Sequence, residues 1–346
     1  MPRASADGPR HRWPWPDAHG CRTPYGRRMA NSRRTSKVTI VGAGSVGATI
    51  AYACLIRGVA NSVTLYDVNA DKTRAEVLDL NQGIQFVPMA AITGSDDIAV
   101  TADSDIVVVT AGAKQRPGQT RLELAGINVE LCRKLVPQLV ELSPNALLLL
   151  VTNPVDVLTY AATKFSGLPH HRVVGSGTVL DSSRLRVLLA QHTGVAVQSI
   201  HAYIVGEHGD SELPLWSSAS IGPIPVSGWT APGQKPLDEG TRAEIADQVV
   251  RAAELIIRGK GATNYAIGLS TARIIEAMLH DEGRVLPVSS LLDGQYGISD
   301  ICLSLPTVLD RTGIRTVLTP PITDEEAAAL RHSADAVRNV ARSLGL

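Results

Sequence analysis

The chain has 346 residues, 33 basic and 33 acidic side chains, and a formal net charge of zero at neutral pH. That length exceeds what one compact core usually holds and suits two closely packed domains, for which the 44% apolar content supplies the interior. Without net charge no global field draws in nucleic acid or an anionic membrane, and with 4% aromatic residues a stacking groove for sugars or single strands is disfavoured.

Residues 1–36 are rich in Arg, Pro and Gly and lack the apolar run of a secretory signal. They read as a disordered basic arm, a transit-like segment, or residues upstream of the true start, since Met29 stands close before the patterned part; disorder or a misplaced start is the expectation. From Lys37 onward, strands and helices alternate. "KVTIVGAG" is a β-branched run ending in glycines, "SVGATIAYACLIRG" has helical spacing and stops at Gly58, and "SVTLYD" is the next strand. "ADKTRAEVLDLNQG" reads as a helix and "DIVVVTAG" as a third, buried strand. "TRLELAGINVELCRKLVPQLVEL" is a long helix expected to bend or break near Pro137, and "NALLLLVTNP" is a fourth strand, too short to span a membrane. Alternation of this kind predicts a parallel sheet covered on both faces, the doubly wound Rossmann arrangement, over residues 37–175.

Beyond about residue 175 the texture changes. "LDSSRLRVLLAQHTG" is a helix, "SIHAYIVGEHG" contains a strand, and "EIADQVVRAAELIIRGKG" and "NYAIGLSTARIIEAMLH" are helices. "VLPVSSLLDGQYG" and "ICLSLPTVLD" predict antiparallel strands around a glycine turn, and the chain ends on an amphipathic helix. Residues 176–346 are therefore expected to form a C-terminal α+β domain. Cys21, Cys54, Cys132 and Cys302 lie far apart with no metal spacing, which suits reduced thiols in a cytoplasmic protein and no metal site.

"VGAGSVG" places Gly42, Gly44 and Gly47 in G-x-G-x-x-G spacing, with Ser45 and Val46 between. It follows a strand, opens a helix, and has Asp67 twenty residues beyond Gly47. That context makes it a dinucleotide fingerprint: a tight turn at Gly42, close approach of a pyrophosphate at Gly44, and helix–strand packing at Gly47. The helix N-terminus offers N–H groups to the phosphates. Asp67 suits the ribose hydroxyls and repels a 2′-phosphate, so NAD is expected over NADP.

Further landmarks fall near strand ends, where such sheets bind ligands. "AGAKQRPGQTRLE" is a loop made basic by Lys114, Arg116 and Arg121, which reads as a lid for an anionic substrate or as a solvated loop. Asn153 in "VTNPVD" could contact a ligand or serve a turn. Asp181 and Arg184 lie three apart on one helix face, a surface ion pair on the plainer reading, whereas Arg186 points roughly 200° away from Arg184. His208 in "GEHGDSELP" could be a turn residue, a metal ligand or a proton carrier.

Taken together, "VGAGSVG", "YD", "AGAKQRPGQTR", "VTNPVD", "GTVLDSSRLR", "GEHGDSE" and "KGATNYAIG" resemble the lactate/malate dehydrogenase family, in particular its bacterial L-lactate branch. The resemblance covers nearly everything from Lys37 onward. It implies that His208 is the acid/base, Asp181 the carboxylate that braces it, Arg184 a bidentate clamp for a substrate carboxylate, and Arg121 a closing group that polarises the carbonyl. Thr263 and Asn153 match further family contacts. Relatives acting on oxaloacetate resemble this loop but carry arginine where Gln115 stands. A neutral Gln115 leaves a second carboxylate unpaired, a cost on the order of several kcal/mol, and points to pyruvate and L-lactate. Arg186 and His201 match positions that bind fructose 1,6-bisphosphate at a subunit interface in activated members, which implies such an effector and a homotetramer.

Overall fold

The computed structural model describes residues 35–113, 120–230 and 236–346. Most of the N-terminal extension, Cys21, and the loop residues Lys114, Gln115 and Arg116 lie outside the described residues, as does the side chain of Arg121. Strand β1 (Lys37–Val41) runs parallel between β2 (Ser62–Tyr66) and β4 (Ile106–Val109). Outward from β2 lies β3 (Ala91–Ser95), and outward from β4 lie β5 (Leu147–Leu150) and β6 (Val173–Gly175), all parallel. The order β3-β2-β1-β4-β5-β6 is the doubly wound order expected from the alternation. The reason lies in composition: "IVVV" and "LLLL" are buried at every position, as strands covered on both faces must be.

Four helices flank these strands. They are α1 (Ser45–Arg57), α2 (Ala70–Gln82), α3 (Arg121–Leu142) and α4 (Val155–Ser166). Helix α1 stops at Gly58, whose left-handed backbone (φ 62) returns its N–H to the carbonyls of Cys54 and Leu55. Helix α3 opens with a capping box, Thr120 accepting from the Glu123 N–H while the Glu123 carboxylate accepts from the Thr120 N–H. The expected break at Pro137 is absent: α3 runs from Arg121 to Leu142 with the proline inside.

The second half contributes α5 (Val179–Thr193), then the short strands β7 (Ile200–His201), β8 (Ile204–Val205), β9 (Leu213–Pro214), β10 (Ser220–Ile221) and β11 (Ile224–Pro225). Helices α6 (Glu239–Lys260) and α7 (Tyr265–Leu279) follow, then β12 (Arg284–Asp293), β13 (Ser299–Asp310), β14 (Gly313–Val317) and α8 (Asp324–Ser343). β12 and β13 form the expected antiparallel pair, and β14, which the sequence did not announce, adds to it. They make no sheet of their own, however: β12 joins β6 through the pair Ser289–Gly175, extending one sheet to nine strands.

Each face of that sheet carries its own core. Leu135, Leu139, Leu158, Leu303 and Leu305 pack on one side with α3, α4 and α8. Ile40, Ile50, Leu65, Leu149 and Ile275 pack on the other with α1 and α7. A third cluster around Leu185, Leu189, Ile200 and Ile245 joins α5, β7 and α6. Each such large aliphatic side chain contributes about 1.5–3 kcal/mol by leaving water, an upper estimate. Since α1 packs against α7, the nucleotide fingerprint and the second half share one interior.

Candidate active site

A cleft of about 640 Å³ lies across the ends of β2, β1, β4 and β5, where the strand order reverses. Gly42, Gly44, Ser45, Val46, Gly47, Asp67 and Asn153 all line it. Two of the glycines are dictated by space. A Cβ on Gly42 (φ +106) would sit 2.7 Å from the Thr110 hydroxyl, and one on Gly47 would sit 1.9 Å from the Gly42 carbonyl oxygen. No side chain caps the N-terminus of α1, so its first N–H groups are free for phosphate oxygens. Asp67 Oδ2 accepts from the Ala43 N–H at 2.7 Å and Oδ1 from the Asn69 N–H at 3.0 Å. Each oxygen retains a lone pair, so the carboxylate is held rigidly yet can still accept from ribose hydroxyls. The residues fit a dinucleotide without a 2′-phosphate.

The groups able to handle a proton come together between α5 and the loop after β8; His208 and Asp181 line neither this cleft nor a second one, which Arg184 does line. His208 follows β8, and its Nδ1 lies 2.6 Å from Oδ2 of Asp181. Asp181 stands in the first turn of α5, 1% exposed, and its Oδ1 accepts from Nη1 of Arg184 at 2.5 Å. His208 retains 25% side-chain exposure, so with Nδ1 engaged its Nε2 is the atom that can meet a substrate. Burial by itself would lower the imidazole pKa, but the charge and hydrogen bond of Asp181 outweigh it and raise His208 to about 9. Burial likewise opposes ionisation of Asp181, yet His208 and Arg184 hold its carboxyl below the usual range. The surface ion pair considered from sequence is instead a charge triad built around a buried carboxylate.

Backbone contacts fix the loop that carries His208. Three successive N–H groups are held by three elements: Gly206 donates to the Ser304 carbonyl at 2.9 Å, Glu207 to Ser333 Oγ at 2.7 Å, and His208 to Asp156 Oδ2 at 2.7 Å. Sequence reading assigned no role to Asp156, which it saw only inside the turn motif "VTNPVD". Glu212 was missed as well. Its carboxyl shares the His208–Asp181 neighbourhood, its Oε1 is buried without a hydrogen-bond partner among the described residues, and burial followed by the nearby Asp181 charge pushes it up to about 8. The ligand-capable atoms of Asp181, His208 and Glu212 lie within 4.8 Å of one another, but Nδ1 of His208 is engaged by Asp181.

Arg184 and Thr263 line a second cleft, of about 710 Å³, between α5, α6 and the start of α7. Ala262 lines the first cleft and Thr263 the second, so the two spaces meet at that peptide. Arg186 faces elsewhere: its Nε donates to the Ala202 carbonyl at 2.9 Å and its guanidinium lies 4.9 Å from the Tyr203 ring centroid. His201 is exposed on β7, next to Ala202 in the chain.

The description "lactate/malate dehydrogenase, NAD binding domain" matches residues 36–175, and "lactate/malate dehydrogenase, alpha/beta C-terminal domain" matches residues 178–343. The chain belongs to the lactate/malate dehydrogenase family. As a member it is an enzyme with NAD as its cofactor. It is 51% identical over 319 residues to an L-lactate dehydrogenase of Bifidobacterium animalis subsp. lactis, covering 92% of this chain and 100% of that one. An L-lactate dehydrogenase of Acetivibrio thermocellus is 44% identical over 319 residues, with 92% and 100% covered. Among solved structures, the minor L-lactate dehydrogenase of Enterococcus mundtii, in a ligands-bound form, superposes with a TM-score of 0.86 at 40% identity, covering 89% of this chain and 98% of that one.

Proposed function

We propose that this family member is an NAD-dependent L-lactate dehydrogenase that interconverts pyruvate and L-lactate. The observation that carries the reading is the contiguous set His208–Asp181–Arg184, with Arg184 lining a second cleft that meets the dinucleotide cleft at Ala262 and Thr263. NADH, when bound, supplies the hydride for the carbonyl carbon. His208 Nε2 gives the proton to the carbonyl oxygen, and Asp181 holds the imidazolium that precedes this transfer. Because the His208 pKa is raised to about 9, the ring is charged at neutral pH and primed for reduction. In the oxidative direction the neutral ring must accept, so that direction gains as pH rises through about 9.

Arg184 is already pre-positioned by Asp181 and has guanidinium donors left over for a substrate carboxylate. Arg121 closes over the substrate, Gln115 faces its methyl end, and Asn153 and Thr263 complete the contacts. Residues 37–175 serve the nucleotide and 176–346 the substrate. No metal takes part. Arg186 and His201 receive fructose 1,6-bisphosphate between subunits of a homotetramer in the cytoplasm; among the described residues no helix is long and apolar enough to cross a membrane.

The test is NADH oxidation by the purified chain with pyruvate and with oxaloacetate, with and without fructose 1,6-bisphosphate. The reading requires kcat/KM for pyruvate at least about 10²-fold above that for oxaloacetate. The effector should lower the apparent KM for pyruvate and favour the tetramer on size-exclusion chromatography. Preference for oxaloacetate would overturn the substrate reading, and an unchanged rate and size would overturn the effector reading.

A further inference from the structure

We propose that Asp156, held by Ser289, is a positioning residue for the reaction: it fixes the main chain of His208 so that the imidazole meets Asp181. The inference rests on the assignment of His208 as acid/base and names a residue that acts through it.

The geometry places Asp156 at a junction. It lies in the first turn of α4, 2% exposed. Its Oδ2 accepts from the His208 N–H at 2.7 Å, and its Oδ1 accepts from the Ser289 hydroxyl at 2.6 Å. Ser289 is the residue of β12 that pairs with Gly175 of β6, so the carboxylate ties α4, the sheet seam and the His208 loop at one point. A carboxylate buried with no lysine or arginine contacting it among the described residues is costly, and a purely structural link would be served as well by a neutral side chain. What a negative charge adds here is a contribution, smaller than those of Asp181 and Glu212, that favours the charged ring. The ionisable groups that bear on Asp156 itself are His208 and Glu207 from the loop, and Cys302 from β13 lies close enough to be affected by it.

The imidazole hangs from the Cα that this hydrogen bond fixes. Loss of the bond frees the loop at its third pinned amide, and the 2.6 Å contact between Nδ1 and Asp181 depends on that placement. A displacement on the order of 1 Å in such a group costs about 10²-fold in rate.

The experiment compares the unsubstituted chain with Asp156→Ala, Asp156→Asn and Ser289→Ala. Two readouts are taken: NADH-dependent pyruvate reduction, and the pH midpoint for acylation of His208 by diethyl pyrocarbonate, followed by mass spectrometry of its peptide. Asp156→Ala should lower kcat/KM for pyruvate about 10²-fold while KM for NADH stays within about twofold. It should also move the His208 midpoint down. Asp156→Asn keeps an acceptor for the His208 N–H and a donor for Ser289, so it should restore the rate to within about tenfold while keeping a lowered midpoint. Ser289→Ala should give a several-fold loss. If the alanine variant does not fold, the asparagine and Ser289 variants still decide.

An unmoved His208 midpoint in Asp156→Asn, together with a rate in Ser289→Ala within about twofold of the parent, would overturn the proposal. So would losses that only follow the folded fraction. If the unsubstituted chain does not reduce pyruvate, the functional assignment fails by itself, and the acylation midpoints still report whether Asp156 positions His208.

Discussion

At the scale of single residues, Glu212 is the one whose environment opposes its charge most openly. Its carboxyl is pushed up to about 8 by burial and by Asp181, whereas an unfolded chain would ionise it near its ordinary 4.5. Between those values the folded state holds a proton that the unfolded state has lost, so this group makes stability fall as pH rises across that window. His208 has the opposite origin but a related consequence. Its raised pKa adds stability that is complete below about 6.5 and disappears as pH climbs through about 9. Replacing Glu212 by glutamine removes the first penalty. The substitution should raise Tm by at least about 3 °C at pH 9 and change it little at pH 5, as read by scanning fluorimetry. A lower Tm at pH 9 would mean that the ionised carboxylate has a partner after all.

At the scale of elements, the capping box at the start of α3 deserves a direct measurement, because Thr120 stands immediately before Arg121. Thr120→Ala should cost about 1 kcal/mol in urea unfolding. If Arg121 closes over substrate, the frayed helix start should also raise KM for pyruvate and leave KM for NADH unchanged. Element by element, legibility in the sequence followed local pattern. β1, β2, β4 and β5 show as dense β-branched or leucine runs, and α1, α2, α3, α5, α6, α7 and α8 as helical spacing between stop signals. What escaped had no local signature. β3 is "AITGS", largely exposed and short, and β6 is three residues long. Helix α4 is buried on nearly all sides, so it lacks a polar face and hides behind the turn chemistry of "VTNPVD". The same contrast holds in the site. The glycine fingerprint, Asp181, Arg184 and His208 sit in dense motifs. The hydrogen bond from His208 to Asp156 spans 52 positions and uses a main-chain donor, which no residue pattern announces. Pro137 taught the reverse lesson: a helix breaker by type was tolerated where Val136 and Leu139 are buried against the sheet.

At the scale of the whole molecule, one nine-stranded sheet serves both halves, with a core on each face. Sequence alone suggested two closely packed domains and left their joining open, because the change from alternating to antiparallel texture is visible and the Ser289–Gly175 pairing is not. A shared sheet, and α1 packed on α7, predict that neither half unfolds alone. In urea, far-UV ellipticity and the fluorescence enhancement of bound NADH should disappear over the same concentration range. A well-separated earlier loss of NADH binding would show that the nucleotide half melts first.

The amide of Glu207 is anchored by a hydroxyl that arrives late in the chain, Ser333 on α8. The last of the three amide anchors of this loop is therefore supplied by α8. A chain cut back to residue 320 would keep the anchors at Ser304 and Asp156 and lose that of Ser333, so trimming or fusing onto the last helix in protein engineering would loosen the His208 loop from a distance.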